Sequence, residues 1–126
     1  MSGSSKVSVL ALALALVFFS AGAMARWQIN WVAFATHENG AFGVAWGAPN
    51  SADAAAQAIA QCGFEKCQLG RVFPARCIAV AGSNRSSARG FGSGDSDESA
   101  MRLAYEWCEK SAAERTCHIE AVRCAP

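Results

Sequence analysis

NSADAAAQAIAQCG (residues 50–63) combines a start signal, an alanine-rich body and a stop signal for one short helix. Asn50, with Asp53 three residues later, resembles a capping box, and Gly63 suits the left-handed end of a helix. The segment therefore predicts a helix through about Gln61. Because alanine side chains are small, this helix can approach a sheet closely.

SDESAMRLAYEWC (residues 96–108) repeats the pattern later in the chain, with Cys108 in the place of Cys62. Ser96 or Asp97 is expected to cap a second helix that runs to about Glu109. An i, i+3, i+4, i+7 spacing predicts one buried stripe on each helix. The two stripes are Ala55, Ala58, Ile59 and Cys62, and Met101, Ala104, Tyr105 and Cys108.

Short apolar segments bounded by turn signals flank both helices and predict three strands per copy. The predicted strands are residues 28–35, 41–46 and 67–73, and then 77–81, 88–92 and 117–123. Asn39-Gly40 indicates a type I′ hairpin turn between the first two strands. The expected fold is α+β. Two ββαβ-type repeats, about 28–76 and about 77–126, would form a mainly antiparallel sheet with two helices packed on it.

Six cysteines, placed as two similar triplets, predict three disulfides in an oxidising compartment. The repetition favours Cys62–Cys67 and Cys108–Cys117, each across one short loop. Cys77 then remains for Cys124, in a bond expected to tie the two halves together. The rival interpretation is zinc binding, which the C-x4-C and C-x8-C spacings do not favour.

The first 25 residues have the features of a cleaved secretory signal. Lys6 supplies positive charge, residues 7–19 form a short apolar stretch, and residues 23–25 form an A-x-A cleavage site. Cleavage would leave a single duplicated domain, residues 26–126, that is secreted or periplasmic and has no membrane span. The alternative is an uncleaved membrane anchor.

The formal net charge of +1 argues against a general nucleic-acid-binding role. Between Glu65 and Asp95, however, the chain carries basic side chains and no acidic ones. Four arginines there are expected to lie near one another. The favoured interpretation is a solvated basic surface that pairs with acids inside the fold, and the alternative is a patch that binds an anionic partner. With one tryptophan near the mature terminus, the candidate partner-binding residues are Arg71, Arg76, Arg85, Arg89 and Trp27.

No combination of residues reaches the specificity of a catalytic, cofactor-binding or metal site. Cys117 and His118 are adjacent on a predicted strand, so their side chains would point to opposite faces. The glycine-rich segment 90–95 lacks the lysine of a phosphate-binding loop. The acids near the start of the second helix lack the calcium-loop register, and they are favourable at a helix N-terminus. We therefore predict no cofactor and no enzymatic activity.

Several segments together resemble a known family of bacterial secreted proteins, domain-of-unknown-function family 4189. They are Trp31-x-Ala-x-Ala35, the strand ending Trp46-Gly47, the alanine-rich helix to Cys62, the Cys67 strand and Cys77-x-Ala-x-Ala81. The chain has Phe91 where tryptophan is common in that family. The resemblance implies a small exported bacterial domain without established catalytic residues, in a family of which some members act toward host cells or competitor bacteria.

The favoured hypothesis is an exported, disulfide-rich, non-enzymatic module that binds a protein partner as an effector, inhibitor or immunity-type protein. One alternative is a cell-envelope hydrolase, or a hydrolase accessory, that uses Glu38 or His37. A second alternative is a structural protein of the envelope.

Overall fold

The computed structural model describes residues 29–112 and 116–126. The predicted signal segment and Trp27 lie outside the described residues. No helix in the described part of the chain is long and apolar enough to cross a membrane. The elements are β1 (Trp31–Thr36), β2 (Phe42–Ala48), α1 (Ser51–Cys62), β3 (Gln68–Pro74), β4 (Cys77–Ser83), β5 (Arg89–Gly94), α2 (Asp97–Ser111) and β6 (Cys117–Cys124).

Each repeat forms its own three-stranded antiparallel sheet, with strand order β2-β1-β3 in the first and β5-β4-β6 in the second. The prediction of an α+β fold with two ββαβ repeats is confirmed. The structure differs from the expectation in one respect, because the strands form two sheets instead of one. Strand pairing stays within each repeat, and the two sheets pack on each other through their side chains.

The two sheets pack face to face, and one helix covers the outer face of each, which gives four layers in the order α1, first sheet, second sheet, α2. Successive side chains of a strand point to opposite faces. Val32 and Phe34 of β1 therefore face the other sheet, whereas the alanines between and after them face α1. Strand β4 repeats this arrangement with Ile78 and Val80 facing inward. Both central strands are buried on both faces, so they are apolar except for their last residues, Thr36 and Ser83.

The buried stripes of the helices differ from the predicted ones. The buried residues are Ala54, Ala58 and Cys62 in α1, and Ala100, Ala104 and Cys108 in α2. Ile59 and Tyr105, which the sequence placed in the core, are 40% and 41% exposed. The contact line therefore follows an i, i+4, i+8 row of small residues, and the larger side chains project to its sides.

Glycines on the facing strands explain this row. A Cβ added to Gly43 would overlap the backbone of Ala58 and Cys62, and one added to Gly90 would overlap the backbone of Ala104. Each helix backbone thus rests almost directly on its edge strand, which leaves room only for alanine or a buried cysteine at the contact. The glycine-rich segment that ends at Gly94 is explained by this close packing.

The helix ends match the sequence signals. Asn50 Oδ1 accepts a hydrogen bond from the Asp53 amide at 2.8 Å, and Gly63 ends α1 in the left-handed conformation with φ 80°. Ser96 caps α2 through a capping box in which Ser99 is the reciprocal partner. These contacts satisfy amide groups that the first turn of a helix leaves unpaired.

The hairpin between β1 and β2 forms, but its turn is not the two-residue type I′ turn that the sequence predicted. The loop runs from His37 to Ala41, and Gly40 alone adopts a positive φ, of 91°. The Asn39 side chain accepts from the Ala41 amide at 2.8 Å, and His37 Nδ1 accepts from the Asn39 amide at 3.1 Å. These side-chain acceptors stabilise a longer turn that needs only one left-handed residue.

Three disulfides join Cys62 to Cys67, Cys108 to Cys117 and Cys77 to Cys124, the pairing expected from the sequence. The expectation that the third bond ties the two repeats together is wrong. Cys77 begins β4 and faces Cys124 at the end of β6, so the bond crosses two neighbouring strands of the second sheet. In the first sheet the corresponding pair is Trp31 and Pro74.

Candidate functional site

A cleft of about 440 Å³ lies between the two sheets on the side where β3 and β5 form their edges. Strand β2 contacts β4 and β6 on the opposite side of the sandwich. Helix α2 forms one wall of the cleft because it lies over β5, at the edge of the second sheet. A concave, mostly apolar site with a few polar groups has the character of a ligand or partner site.

The floor of the cleft is aromatic. Phe34 of β1 and Phe91 of β5 stack with ring centroids 4.0 Å apart and planes 3° from parallel. Trp107 of α2 meets both rings edge-on, at 5.7 Å and 6.1 Å. Phe73 and Ile78 also line the cleft, on β3 and β4. The aromatic cluster thus joins the first repeat to β5 and α2 of the second repeat.

Gly90 makes it possible for Trp107 to reach this floor. A Cβ on Gly90 would lie 3.1 Å from the Trp107 Cβ and would also overlap the helix backbone. Because Gly90 has no side chain, α2 lies against β5, and the Trp107 indole extends around the edge of the sheet toward Phe91. Trp107 stays 40% exposed, so the ring contributes both to the floor and to the outer surface.

Three charged side chains line the cleft: Arg71 from β3, and Glu106 and Lys110 from α2. Neither the Arg71 nor the Lys110 side chain forms an ion pair or a hydrogen bond within residues 29–112 and 116–126. Glu106 and Lys110 are one helical turn apart, a spacing at which opposite charges attract. The rim is therefore net positive, with Arg71 on the wall opposite the helix.

The duplication supplies an internal comparison for the floor. Under the correspondence of the two repeats, Phe34 matches Val80 and Phe91 matches Val44. Phe73 matches Arg123. The two repeats therefore share their alanine and glycine contacts, but Phe34, Phe91 and Phe73 have no aromatic counterparts at these matching positions.

The helices differ at the same place. Trp107 and Leu103 of α2 correspond to Gln61 and Gln57 of α1. On the opposite side of the sandwich, the Arg123 guanidinium lies over the Trp46 ring at 5.8 Å. In the cleft itself, Ile78 on β4 pairs with Ser93 on β5, which has a small side chain. Small residues beside large rings leave the cleft open.

The four arginines singled out in the sequence do not form one patch. Arg76 precedes β4 and Arg85 follows it, so the strand separates them by about 20 Å at 3.3 Å per residue. Arg71 alone among the four lines the aromatic cleft. Chain proximity was a poor guide because an extended strand carries neighbouring residues apart.

Arg76 and Arg89 make side-chain contacts within the described part of the chain. Arg89 pairs with Glu120 at 3.0 Å, and its guanidinium lies 4.3 Å from the centroid of the Phe42 ring. The Arg76 Nε donates to the Ala125 carbonyl at 3.1 Å and holds the C-terminal residues against the β3–β4 connection. A role of Arg76, Arg85, Arg89 or Trp27 in binding a partner stays a prediction.

His37 and Glu38, the candidates of the hydrolase alternative, line a separate polar hollow with Lys66 and Gln68. His37 uses Nδ1 in the hairpin turn and packs against Phe64 with centroids 5.1 Å apart. His118 lies on β6 in the other sheet, and Cys117 beside it is in a disulfide. A structural role in the turn thus accounts for the His37 contacts.

Within the described residues, no group of three or more His, Cys, Asp or Glu side chains could hold a metal ion. All six cysteines are in disulfides, so none is available as a thiolate ligand for zinc. The candidate site is therefore a cleft whose chemistry is apolar contact and charge pairing.

Most of the cleft was not identified from the sequence, because its residues come from five different elements. Arg71 was noted as a basic residue, and Phe91 only as a difference from the family pattern. Phe34, Phe73 and Trp107 were not assigned to any site. The useful signal was the difference between the repeats, since tryptophan directly precedes Cys108 where glutamine precedes Cys62.

Comparisons with known proteins agree with the fold. A family model described as "Domain of unknown function (DUF4189)" matches residues 31–124. The NMR structure of Rv1813c from Mycobacterium tuberculosis is similar to this chain, with 28% sequence identity and a TM-score of 0.55. That similarity covers 77% of this chain and 76% of the other. No curated protein matches the sequence.

Proposed function

We propose a function from the premise that this chain belongs to the DUF4189 family. The protein is an exported, disulfide-stabilised, non-enzymatic domain that binds a protein partner through the aromatic cleft. The observation that carries this proposal is the cluster of Phe34, Phe91 and Trp107, which is open to solvent at the Trp107 edge. Exposed aromatic anchors in a concave site are typical of the residues that dominate protein–protein binding.

The difference between the repeats supports a role beyond packing. Both repeats fold on the same framework, with valine at the positions that correspond to Phe34 and Phe91, and glutamine at the position that corresponds to Trp107. Aromatic residues at these three positions are therefore not needed to build a ββαβ unit. A binding role accounts for the three rings that meet in the cleft.

Site-specific photo-crosslinking tests the proposal. A photoreactive phenylalanine analogue at Leu103, at the cleft, is compared with one at Ile59, which is similarly exposed on α1. Applied to envelope and culture fractions, the Leu103 probe is expected to give a discrete protein adduct that the Ile59 probe does not give. The adduct should be lost in a Trp107→Gln background. Equal labelling from both sites, or no adduct at all, contradicts the proposal.

Export is the second part of the proposal, and the three disulfides support it because such bonds persist in oxidising compartments. We expect the mature chain to begin at Arg26, after the A-x-A sequence. Intact-mass measurement of protein recovered from the envelope or the medium decides this point. A chain that retains Met1 would show that the apolar segment is an uncleaved anchor.

The absence of enzymatic activity is the third part. The His37 ring is occupied by the turn, so His37→Ala should lower stability slightly and leave partner binding unchanged. Turnover of peptidoglycan or ester substrates by the wild-type protein, abolished by His37→Ala, would support the hydrolase alternative and contradict this part.

A further inference from the structure

We infer that the cleft recognises a partner segment in which a large apolar side chain is flanked by acidic residues. This inference rests on the proposed function and specifies the chemistry of the bound segment. The apolar side chain would contact the Phe34–Phe91 stack and Trp107, and the acids would pair with Arg71 and Lys110 at the rim. The cleft size, the continuous apolar surface around it and its charges support the inference.

The size of the cleft limits what can enter. A volume of about 440 Å³ accommodates one or two large side chains, and it is too small for the apolar face of a whole helix. The rings of the floor offer one stacked pair and one edge, geometries that favour contact with another aromatic or large aliphatic group. A single inserted anchor residue fits this shape.

The apolar surface continues beyond the cleft, which favours a protein segment over a small molecule. Leu103 and Trp107 lie one helical turn apart on α2 and are 44% and 40% exposed. A small ligand inside the cleft would leave their outer surfaces in water. A polypeptide that crosses the rim would cover both side chains while one of its residues fills the cleft.

The rim determines the charge preference of that segment. Arg71 and Lys110 make no ion pair among the described residues, and Glu106 is the single acid of the lining. Because Glu106 can share the charge of Lys110 along the helix, Arg71 is the cation most available to a partner. A charge-assisted bond to a partner carboxylate would be strengthened by the low-dielectric aromatic floor beside it.

Blocked pentapeptides provide a direct probe of this recognition. The test peptide has one tryptophan between two pairs of glutamates. One matched peptide replaces the glutamates by lysines, and another replaces the tryptophan by alanine. Each is titrated into the disulfide-bonded domain, residues 26–126, and followed by NMR. We expect the acidic tryptophan peptide to shift the Trp107 indole and the Gly92 and Ser93 amides, with Kd on the order of 1 mM.

The matched peptides and the salt dependence separate the contribution of the apolar side chain to binding from that of the charges. Loss of the tryptophan should abolish measurable binding, and charge reversal should weaken it at least about 10-fold. Raising the salt concentration to about 0.5 M should weaken binding of the acidic peptide several-fold, because the rim charges are partly exposed. Equal binding of the acidic and basic peptides would overturn the charge preference.

Variants of the protein locate the effect. Arg71→Ser should weaken binding of the acidic peptide about 5-fold or more, and Arg102→Ser, on the same helix as Lys110 but outside the lining, should change it less than 2-fold. Trp107→Gln copies the glutamine that α1 carries at its corresponding position, so the fold is expected to tolerate it. Unchanged binding in both Arg71→Ser and Trp107→Gln overturns the inference.

The outcome also distinguishes this inference from the proposed function. If the basic peptide binds at the cleft, and the Leu103 probe still crosslinks to a protein, the partner chemistry is wrong and the binding function stands. If no peptide binds while an anionic fluorophore such as anilinonaphthalene sulfonate shifts the same Gly92 and Ser93 signals, both fail. The cleft would then be a small-molecule site.

Discussion

Gly90 connects the packing of the fold to the geometry of the cleft. The absence of a side chain allows the α2 backbone to lie on β5, and the same closeness carries Trp107 around the edge of the sheet. Ser93, three residues along the strand, has its side chain on the opposite face and lines the cleft. Gly90, together with Gly92, thus permits the short helix–sheet distance, and Gly90 also affects the position of the aromatic wall.

Gly90→Ala is expected to lower the free energy of unfolding by about 2 kcal/mol or more, because the added Cβ overlaps the helix backbone and the helix must move. Urea unfolding followed by tryptophan fluorescence measures the change. Ser93→Ala is the control on the same strand, with an expected change within about 0.5 kcal/mol. Wild-type stability in Gly90→Ala would show that the helix is not held against the strand.

Sequence reasoning anticipated the chemistry of single residues better than their burial. Ser96 and Gly63 act locally, and their capping roles were predicted correctly. The burial of Ile59 was predicted wrongly, because periodicity alone does not show where the facing strand lacks side chains. A glycine in β2 or β5 shifts by one residue the row of helix residues that contacts the sheet. The spacing of apolar residues along the helix does not reveal this shift.

Helix α2 has two functions in this fold, since one face packs on β5 and another forms a wall of the cleft. Its N-terminus begins at a serine capping box, and its last turn carries Lys110 at the rim. Loosening of the first turn would therefore displace the residues of α2 that form the cleft wall. Helix α1 carries no such wall residues and serves as a natural comparison.

Ser96→Ala is expected to destabilise the domain by about 1 kcal/mol, because the Ser99 amide loses its side-chain acceptor. Ser51→Ala, at the first residue of α1 beyond its cap, should change the stability by a few tenths of a kcal/mol at most. Thermal unfolding monitored by circular dichroism compares the two. A similar loss from both substitutions would mean that the capping box contributes nothing specific.

For the molecule as a whole, the sequence predicted the repeats but not how they join. The apolar runs of β1 and β4 were read as strands, and their burial on both faces is what permits one sheet to stack on the other. The cleft arises from that stacking. Its residues are separated along the chain, so no local pattern brings Phe34, Phe73 and Trp107 together.

Removing the Cys77–Cys124 bond by a double change to alanine should destabilise the molecule more than removing either of the other bonds. The sequence separation is 47 residues, against 5 for Cys62–Cys67 and 9 for Cys108–Cys117. The loop-entropy model gives about 4 kcal/mol for the long loop, and about 2 and 3 kcal/mol for the short ones. Denaturant midpoints of the three double variants test this order. Equal midpoints would refute it.

The nesting of one disulfide inside another has a kinetic consequence. Cys108–Cys117 lies within the segment that Cys77–Cys124 closes, so a chain that enters an oxidising compartment N-terminus first exposes Cys108 to Cys77 before Cys124 arrives. Oxidation in order of arrival would trap a Cys77–Cys108 bond, which must be exchanged before the second sheet can close. We expect depletion of the disulfide isomerase from that compartment to lower the yield of natively bonded wild-type protein severalfold. In a Cys108→Ala/Cys117→Ala variant, which lacks the competing thiols, the yield should be independent of the isomerase. Isomerase dependence that persists in this variant would place the slow exchange elsewhere in the chain.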